Sequence, residues 1–213
     1  MKRDPAERLL ELIAIAPQRL VADPSPAALA AHLEDARSSL DLLAAESGPL
    51  VDVGSGAGLP GLPILLARPD LEGVLLDSRA RRCSHLEQAV AETGLAGRVR
   101  VVNQRAEEFA VGSGRDGAGI VVARALAPPP VAVELCLPLL RPGGLLVLHA
   151  GLVEPADVAA AAEALAGAVE LIRAVPGFER RHHVAVRKIG PTPQGFPRRV
   201  GAAARDPLVR SGL

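Results

Sequence analysis

One stretch decides the fold of this chain: Leu50-Val51-Asp52-Val53-Gly54-Ser55-Gly56-Ala57-Gly58-Leu59-Pro60-Gly61. Its apolar start is typical of a buried strand, and Asp52 stands near the end of that strand. Four glycines within eight residues follow, and then an apolar stretch with helical spacing. Glycine has no Cβ, so a turn of this kind lets the backbone approach a ligand closely. The sequence therefore predicts a nucleotide-cofactor loop between a strand and a helix.

The glycine loop is compatible with two different cofactors. Gly56, Gly58 and Gly61 fit the dinucleotide pattern G-x-G-x-x-G, and Asp77 lies about where its ribose-binding acid is expected. The longer pattern D-x-G-x-G-x-G, from Asp52 to Gly58, resembles motif I of S-adenosylmethionine-dependent methyltransferases. An acid at a strand end suits the sulfonium cation of that cofactor better than a pyrophosphate. These residues favour a methyltransferase over an NAD enzyme, and a glycine turn without a ligand is the third alternative.

Size and composition set the broad class. A chain of 213 residues, 49% of them apolar, is long enough for one α/β domain with a sizeable core. There is no Trp or Tyr, so an adenine ring must pack mainly on aliphatic side chains. Cys83 and Cys136 do not make a disulfide framework, which favours a reducing compartment. The charged start matches neither a signal peptide nor a membrane span, so we expect a cytoplasmic protein.

Charge is distributed unevenly along the chain. The formal net charge is zero, with 24 basic and 24 acidic residues, but residues 180–213 carry +7 and the remainder −7. A basic end on an acidic body is typical of a protein with a polyanionic partner. A solvated basic tail is the alternative, and charge alone does not separate the two.

Strand and helix patterns alternate along the chain. Strands are predicted at 49–53, 71–77, 99–102, 120–123, 145–148, 169–175 and 182–188, and helices at 5–16, 27–45, 59–67, 79–94, 129–140 and 155–168. We interpret 103–109 as a connection and 112–119 as a flexible loop. The predicted fold is a single α/β domain with a mostly parallel seven-stranded sheet and helices on both faces. Residues 1–47 form an N-terminal helical cap, 48–189 a Rossmann-like core and 190–213 a basic C-terminal arm.

The candidate binding residues lie where the predicted strands end. Ligands of an open parallel sheet bind beyond the carboxyl ends of the strands. Those ends carry the Gly54–Gly58 loop, Asp77, the Ala106-Glu107 pair and Arg124, which we expect to converge on one cleft. Asp77 can accept hydrogen bonds from both ribose hydroxyls, and the alternative is a cap for the helix that follows.

Two further positions in this cleft have alternative interpretations. The backbone at Ala106 and the carboxylate of Glu107 can bind an adenine amino group, or Glu107 is an exposed acid at a helix start. Arg124 faces the reaction side at the end of strand four and is a possible orienting residue. Its alternative is an ion pair with Asp52 or Glu107, which does not exclude a functional role.

Later segments of the sequence resemble a particular family of methyltransferases. The turn before strand five, Leu137-Pro138-Leu139-Leu140-Arg141-Pro142-Gly143-Gly144, resembles the L-x-P-G-G turn of class I methyltransferases. The chain as a whole resembles the RsmG (GidB) family, over roughly residues 27 to 208. The resemblance is carried by Asp52 to Pro63, Leu75-Leu76-Asp77-Ser78, Arg105-Ala106-Glu107-Glu108-Phe109, Ala123-Arg124-Ala125, Arg187-Lys188, Thr192 to Gly201 and Asp206-Pro207-Leu208.

The resemblance implies a function and a set of site residues. The family uses a Rossmann-like class I fold to methylate N7 of a guanine in 16S ribosomal RNA. It implies that S-adenosylmethionine binds at Gly54, Leu59, Asp77, Ala106, Glu107 and Arg124, and motif I adds Gly56 and Gly58. The chain departs from the family where His149-Ala150-Gly151 replaces Leu-Lys-Gly, and where only His32 and Asp35 remain of an H-x-x-D-S element.

Guanine N7 carries a lone pair and no proton, so its methylation needs no general base and no covalent nucleophile. We therefore predict no catalytic side chain and no metal, with orientation supplying most of the rate. The predicted RNA contacts are Lys188, Arg198, Arg199 and His149. The predicted partner is 16S ribosomal RNA or the small ribosomal subunit, bound by a monomer that contacts no membrane. A small-molecule methyltransferase and a cofactor-bound RNA-binding module without activity remain the alternatives, with an NAD enzyme last.

Overall fold

The computed structural model describes residues 4–209, so the first three and last four residues of the predicted cap and arm lie outside it. Eight helices are described: α1 Pro5–Ile15, α2 Pro26–Arg37, α3 Gly61–Ala67, α4 Ala80–Glu92, α5 Ala106–Val111, α6 Pro129–Cys136, α7 Pro155–Glu163 and α8 Ala202–Arg205. Seven strands are described: β1 Leu50–Val53, β2 Gly73–Asp77, β3 Val99–Asn103, β4 Ala118–Arg124, β5 Leu140–Ala150, β6 Gly167–Ala174 and β7 His182–Lys188.

The strands form one seven-stranded sheet in the order β3-β2-β1-β4-β5-β7-β6. Strand β7 runs antiparallel to both of its neighbours, β5 and β6, and the pairs from β3 to β5 are all parallel. The predicted mostly parallel sheet is confirmed. The order changes direction around β1 and β4, which places the ends of these two strands beside each other where ligands of such sheets bind.

Alternation along the strands produces two hydrophobic layers. On one face, Val51 and Val53 of β1 pack with α5, α6 and α7. On the other face, Leu50 packs with helices α1 to α4. This separation follows from the two-residue period of a strand. Helices on both faces are therefore confirmed, and the first two helices join the same core as the rest of the domain.

Several helix ends differ from the predictions for local reasons. Helix α2 ends at Arg37, where the Ser38 hydroxyl donates to the Asp35 carbonyl at 2.7 Å and competes with the helical pattern. Helix α6 ends at Cys136 and continues as a single 3₁₀ turn over Leu137–Leu139. Pro138, which lacks a backbone N–H, cannot extend an α-helix there.

Two short helices and a longer strand replace predicted irregular segments. The predicted connection 103–109 contains the start of α5, and the Glu108 carboxylate accepts from the Arg105 backbone N–H at 3.0 Å. The short α8 lies in the predicted arm. Strand β5 begins at Leu140, so residues 140–144 of the predicted turn belong to the strand.

Residues 190–209 fold back onto the core. The Arg115 guanidinium donates to the carbonyls of Thr192 and Phe196, at 3.1 and 2.6 Å. Phe196 also packs against the hydrophobic layer on the α6 side of the sheet. The part of the arm that the structure describes is therefore a packed segment, and it reaches the carboxyl ends of the strands. Within residues 4–209, no helix is both long enough and apolar enough to cross a membrane.

Candidate functional site

A cavity of about 360 Å³ opens at the carboxyl ends of β1 and β2. Four of the predicted cofactor residues line it: Gly54, Asp77, Ala106 and Glu107. The segment after β4, residues 125–127, and side chains of α6 complete its apolar side. The structure thus brings together residues from three separate parts of the chain, as the position of the strand ends predicted.

The glycine loop forms the edge of the cavity nearest to β1. Gly54, Gly56 and Gly58 have φ values of +72°, +55° and +89°, a region that other residues rarely adopt. A Cβ on Gly58 would collide with Leu62, so close packing of the loop on α3 also requires glycine there. The Gly54 amide donates to the Leu76 carbonyl at 2.8 Å and continues the β1–β2 ladder into the loop.

Of this loop, Gly54 lines the cavity, whereas Gly56, Gly58 and Leu59 are not among its lining residues. Leu59 is buried among the side chains packed on the α3 side of the sheet. Direct cofactor contacts by these last three residues stay a prediction.

Asp77 is a buried acid of the cavity whose two carboxylate oxygens are both held by hydrogen bonds. Its side chain is only 4% exposed. Oδ2 accepts from the Gly56 amide at 3.0 Å, and Oδ1 accepts from the Arg79 amide at 2.9 Å, at the start of α4. The Arg82 guanidinium lies 3.5 Å from Oδ2. A carboxylate oxygen accepts more than one hydrogen bond, so both oxygens keep capacity for ribose hydroxyls. Asp77 therefore holds the residue that precedes α4, which has no side-chain cap hydrogen bond, and it also lines the ligand space.

Glu107 is a buried cavity residue and not the exposed acid of the alternative interpretation. It lies on α5, next to the buried Ala106, and 9% of it is exposed. Its Oε1 accepts from the backbone N–H of Gly201, in the C-terminal arm, at 2.8 Å. The adenine-binding role predicted for Ala106 and Glu107 is compatible with this position, and the contact with the arm was not predicted.

Arg124 pairs with neither Asp52 nor Glu107, the two partners that the sequence suggested. Its Nη1 donates to Oδ2 of Asp35, on α2, at 2.9 Å. The Asp35 side chain is buried, which raises its pKa, but His149 and Arg124 outweigh burial and hold that pKa below its usual range. Arg124 is thereby fixed at the end of β4, beside the 125–127 segment of the cavity wall. Its contact with the cofactor stays a prediction.

His149 is also part of this buried cluster, and the structure contradicts its prediction as an RNA contact. Its side chain is 1% exposed, with Nε2 3.1 Å from the Ser39 hydroxyl and Nδ1 3.6 Å from Asp35 Oδ1. It pairs in register with Arg124 across β4 and β5. His149 lines a second, smaller cavity of about 70 Å³, which shares residues 125–127 with the larger one. A buried imidazole in this position can shape a pocket but cannot reach a phosphate at the surface.

Lys188 is wrongly predicted as an RNA contact. It is completely buried, and its ammonium donates to the Leu165 carbonyl at 2.9 Å and to the Thr192 hydroxyl at 3.0 Å. Burial lowers its pKa to about 8, against the opposing charge of Asp116. The side chain lies on the same face of β7 as Val184 and Val186, which are part of the core. Lys188 therefore attaches the start of the arm to the core.

Arg198 and Arg199, the two arginines of the arm that were predicted to contact RNA, have different environments. Arg198 forms a two-pronged ion pair with the buried carboxylate of Glu134, on α6, at 2.6 and 2.7 Å. Its guanidinium also donates to the Asp206 carbonyl at 2.9 Å. These contacts make Arg198 a structural residue of the arm. Arg199 is exposed and stays a predicted RNA contact.

Asp52, the acid of the glycine motif, is completely buried beneath the loop. Its Oδ2 accepts from the Gly61 amide at 3.1 Å, and no other described residue hydrogen-bonds to its Oδ1. Burial raises the pKa of Asp52 to about 7, and the nearby charge of Asp77 adds to that effect. The carboxyl group beneath the glycine loop is therefore costly to ionise. Among residues 4–209, no group of three or more His, Cys, Asp or Glu side chains could hold a metal ion.

Solved structures of methyltransferases share the fold of this chain. A ribosomal protein L11 methylase from Lactobacillus delbrueckii subsp. bulgaricus has a TM-score of 0.58 at 14% identity, covering 75% of this chain and 79% of that chain. The O-methyltransferase NcsB1, solved in complex with S-adenosylmethionine, has a TM-score of 0.56 at 23% identity, covering 77% and 59%. The strand order and these likenesses define the Rossmann-like fold of class I S-adenosylmethionine-dependent methyltransferases.

Sequence comparison gives the family. The family model described as rRNA small subunit methyltransferase G (GidB) matches residues 9–184. The ribosomal RNA small subunit methyltransferase G of Alkaliphilus oremlandii is 38% identical over 168 residues, which cover 76% of this chain and 70% of that protein. The protein of the same name from Limosilactobacillus reuteri is 36% identical, covering 78% and 72%. A Frankia casuarinae relative reaches 48% identity over 48% of this chain and 38% of its own length. The chain belongs to the GidB family, which confirms the resemblance seen in the sequence, and its cofactor is S-adenosylmethionine.

Proposed function

We propose that this protein transfers the methyl group of S-adenosylmethionine to N7 of a guanine in 16S ribosomal RNA. The observation that carries the proposal is the cavity at the strand ends, where Gly54, Asp77, Ala106 and Glu107 meet. This donor set fits the cofactor, because acceptor-only carboxylates suit ribose hydroxyls and an adenine amino group. Family membership supports ribosomal RNA as the substrate class.

The residues of this chain bind and orient, and none is required to move a proton. S-adenosylmethionine supplies an electrophilic methyl carbon, which the N7 lone pair attacks while the carbon–sulfur electron pair stays on sulfur. Asp77 would hold the ribose hydroxyls of the cofactor, and Glu107 would hold its adenine amino group. The second cavity shares residues 125–127 with the cofactor cavity and lies next to it. Asp35 holds Arg124 at the boundary between the two cavities, where Arg124 orients the reacting groups. Positioning of this kind supplies a large part of such a rate enhancement.

A methyl-transfer assay tests the proposal. Tritiated S-adenosylmethionine is offered with small ribosomal subunits, with naked 16S ribosomal RNA and with a metabolite extract, in separate reactions. We expect label in ribosomal RNA, and depurination-linked strand cleavage at the labelled guanine identifies N7. Label in the metabolite extract alone would favour a small-molecule methyltransferase. Cofactor binding without transfer to any of the three would favour an RNA-binding module. We also propose that the protein is cytoplasmic and monomeric. The mass of the active species tests the monomeric state.

Arg199→Gln is expected to weaken RNA binding and to reduce the slope of log K against log salt by about 0.7 to 0.9, the contribution of one phosphate contact. S-adenosylmethionine affinity should not change. The matched control is Arg141→Gln, because Arg141 is also exposed but lies near the amino ends of the strands, away from the cavity. The measurement is a salt titration of RNA affinity for both variants. An unchanged slope for Arg199→Gln would show that this part of the arm does not hold a phosphate.

A further inference from the structure

The C-terminal arm forms one wall of the cofactor cavity. Gly201, Ala203 and Ala204 line it together with Ala106 and Glu107 of α5. Their connection is direct, because the Gly201 N–H donates to Glu107 Oε1 at 2.8 Å. A ligand that fills this cavity therefore contacts the core on one side and the arm on the other.

The Gly201 N–H determines which oxygen of the Glu107 carboxylate is available to a ligand. With Oε1 held by the arm, Oε2 is the oxygen that keeps full capacity for a ligand donor. A buried carboxylate held by a backbone N–H loses little rotational freedom when a ligand binds. Gly201 adopts φ = +76°, a left-handed conformation that glycine adopts more readily than other residues, and in this conformation its amide donates to Glu107.

Contacts on both sides of Gly201 fix its position. Arg198, three residues earlier, is paired with Glu134 and also donates to the carbonyl of Asp206, five residues after Gly201. Within the turn, the Ala202 amide donates to the Arg199 carbonyl at 2.9 Å. The turn is therefore a closed unit, attached to the core at α6 and to the cavity at Glu107.

We infer that the turn 201–204 is part of the S-adenosylmethionine site and that Gly201 is a positioning residue for Glu107. Cofactor binding and docking of the arm then stabilise each other, because coupling between two such events is reciprocal. Arg199 stands at the start of the same turn, so the segment that carries the predicted RNA contact also completes the cofactor site. The inference rests on the proposed placement of the cofactor in this cavity.

Hydrogen exchange on the intact protein gives the first test. S-adenosylhomocysteine, the product form of the cofactor, is added at saturating concentration. We expect the amides of residues 199–206 to exchange at least about fivefold more slowly, because a ligand that contacts the docked arm shifts its opening equilibrium. Amides of α7, which lies away from the cavity, serve as the internal control. Binding of the ligand without protection of 199–206 would overturn the inference.

Substitution of Gly201 gives the second test, with a matched control in the same arm. Gly201→Ala places a Cβ on a left-handed residue, and we expect relief of the resulting strain to move the amide away from Glu107. Gly195→Ala introduces the same kind of strain at φ = +89°, and its Cβ would meet no atom within 4 Å. Each protein is titrated with S-adenosylhomocysteine and with S-inosylhomocysteine, which lacks the adenine amino group.

The wild type and Gly195→Ala should prefer S-adenosylhomocysteine by about tenfold, the effect of one hydrogen bond to a charged group. In Gly201→Ala this preference should fall to about twofold or less, with little change in the affinity for S-inosylhomocysteine. Equal loss for both ligands would indicate general loosening of the arm and would overturn the positioning role. If Asp77→Ala binds both ligands as tightly as the wild type, the placement of the cofactor itself is wrong, and the inference fails with it.

Discussion

Asp77→Ala is expected to weaken S-adenosylmethionine binding by about 100-fold or more. Each hydrogen bond to a charged group contributes about 1.5 to 3 kcal/mol, and about 1.4 kcal/mol corresponds to a factor of ten. Two ribose hydroxyls bound by the buried carboxylate therefore account for two orders of magnitude or more. Asp77 also accepts from the amides of Gly56 and Arg79, so its loss loosens the glycine loop and adds to the effect. Calorimetric titration of the purified variant measures the change.

Asp70→Ala is the matched control, because the Asp70 carboxylate is exposed and pairs with Arg68 at the end of α3, away from the cavity. It should bind the cofactor like the wild type. Asp77→Asn retains one acceptor oxygen and should give an intermediate affinity. Thermal unfolding of all three variants separates a loss of binding from a loss of folded protein. Wild-type affinity in a folded Asp77→Ala variant would remove Asp77 from the site.

The sheet and the position of the cavity could be predicted because they depend on local patterns. The strands from β1 to β5 contain apolar runs, and the glycines after Val53 mark the turn into α3. Parallel strands bring their carboxyl ends to one edge, so Asp77 and Glu107 were expected to meet. Helix α5 was not predicted, because six residues are too few to show a helical period.

The prediction for Lys188 used its place in the basic C-terminal segment, and that for His149 used its position in place of a family lysine. Neither prediction used strand alternation. Lys188 is two and four residues after Val186 and Val184, which are core residues on the same face of β7. His149 is two and four residues after Val147 and Leu145, on the face that α2 covers. The two-residue period of a strand could have indicated that both side chains point inward.

Pairs that are distant in the sequence could not be predicted from one chain. Arg124 and Asp35 are separated by 89 positions, and Glu107 and Gly201 by 94. No local pattern selects Asp35 over Asp52 as the partner of Arg124, because that choice depends on how α2 packs on the sheet. The same limit applies to the arm, since its basic composition indicated a solvated segment or an RNA contact. Its packing against the cavity became visible only in three dimensions.

Asp52→Asn is expected to stabilise the folded protein, and more so as the pH rises. Burial raises the pKa of Asp52 from 3.8 to about 7, so the folded state binds the proton more tightly than the unfolded chain. The stability contributed by this proton is present at low pH and is lost between about pH 4 and pH 7. The wild type therefore loses free energy of unfolding over this interval, whereas the asparagine variant has no such group to titrate.

The difference in free energy of unfolding between Asp52→Asn and the wild type should grow by about 2 to 3 kcal/mol from pH 5 to pH 8. Urea unfolding at several pH values measures it, and the other titrating groups cancel because both proteins share them. Asp41→Asn, at an exposed carboxylate paired with Arg173, is the control whose difference should not grow in this direction, because the pKa of Asp41 is lowered. A pH-independent difference for Asp52→Asn would mean that Asp52 ionises normally. In that case the acid beneath the glycine loop would not be a source of instability at the cofactor site.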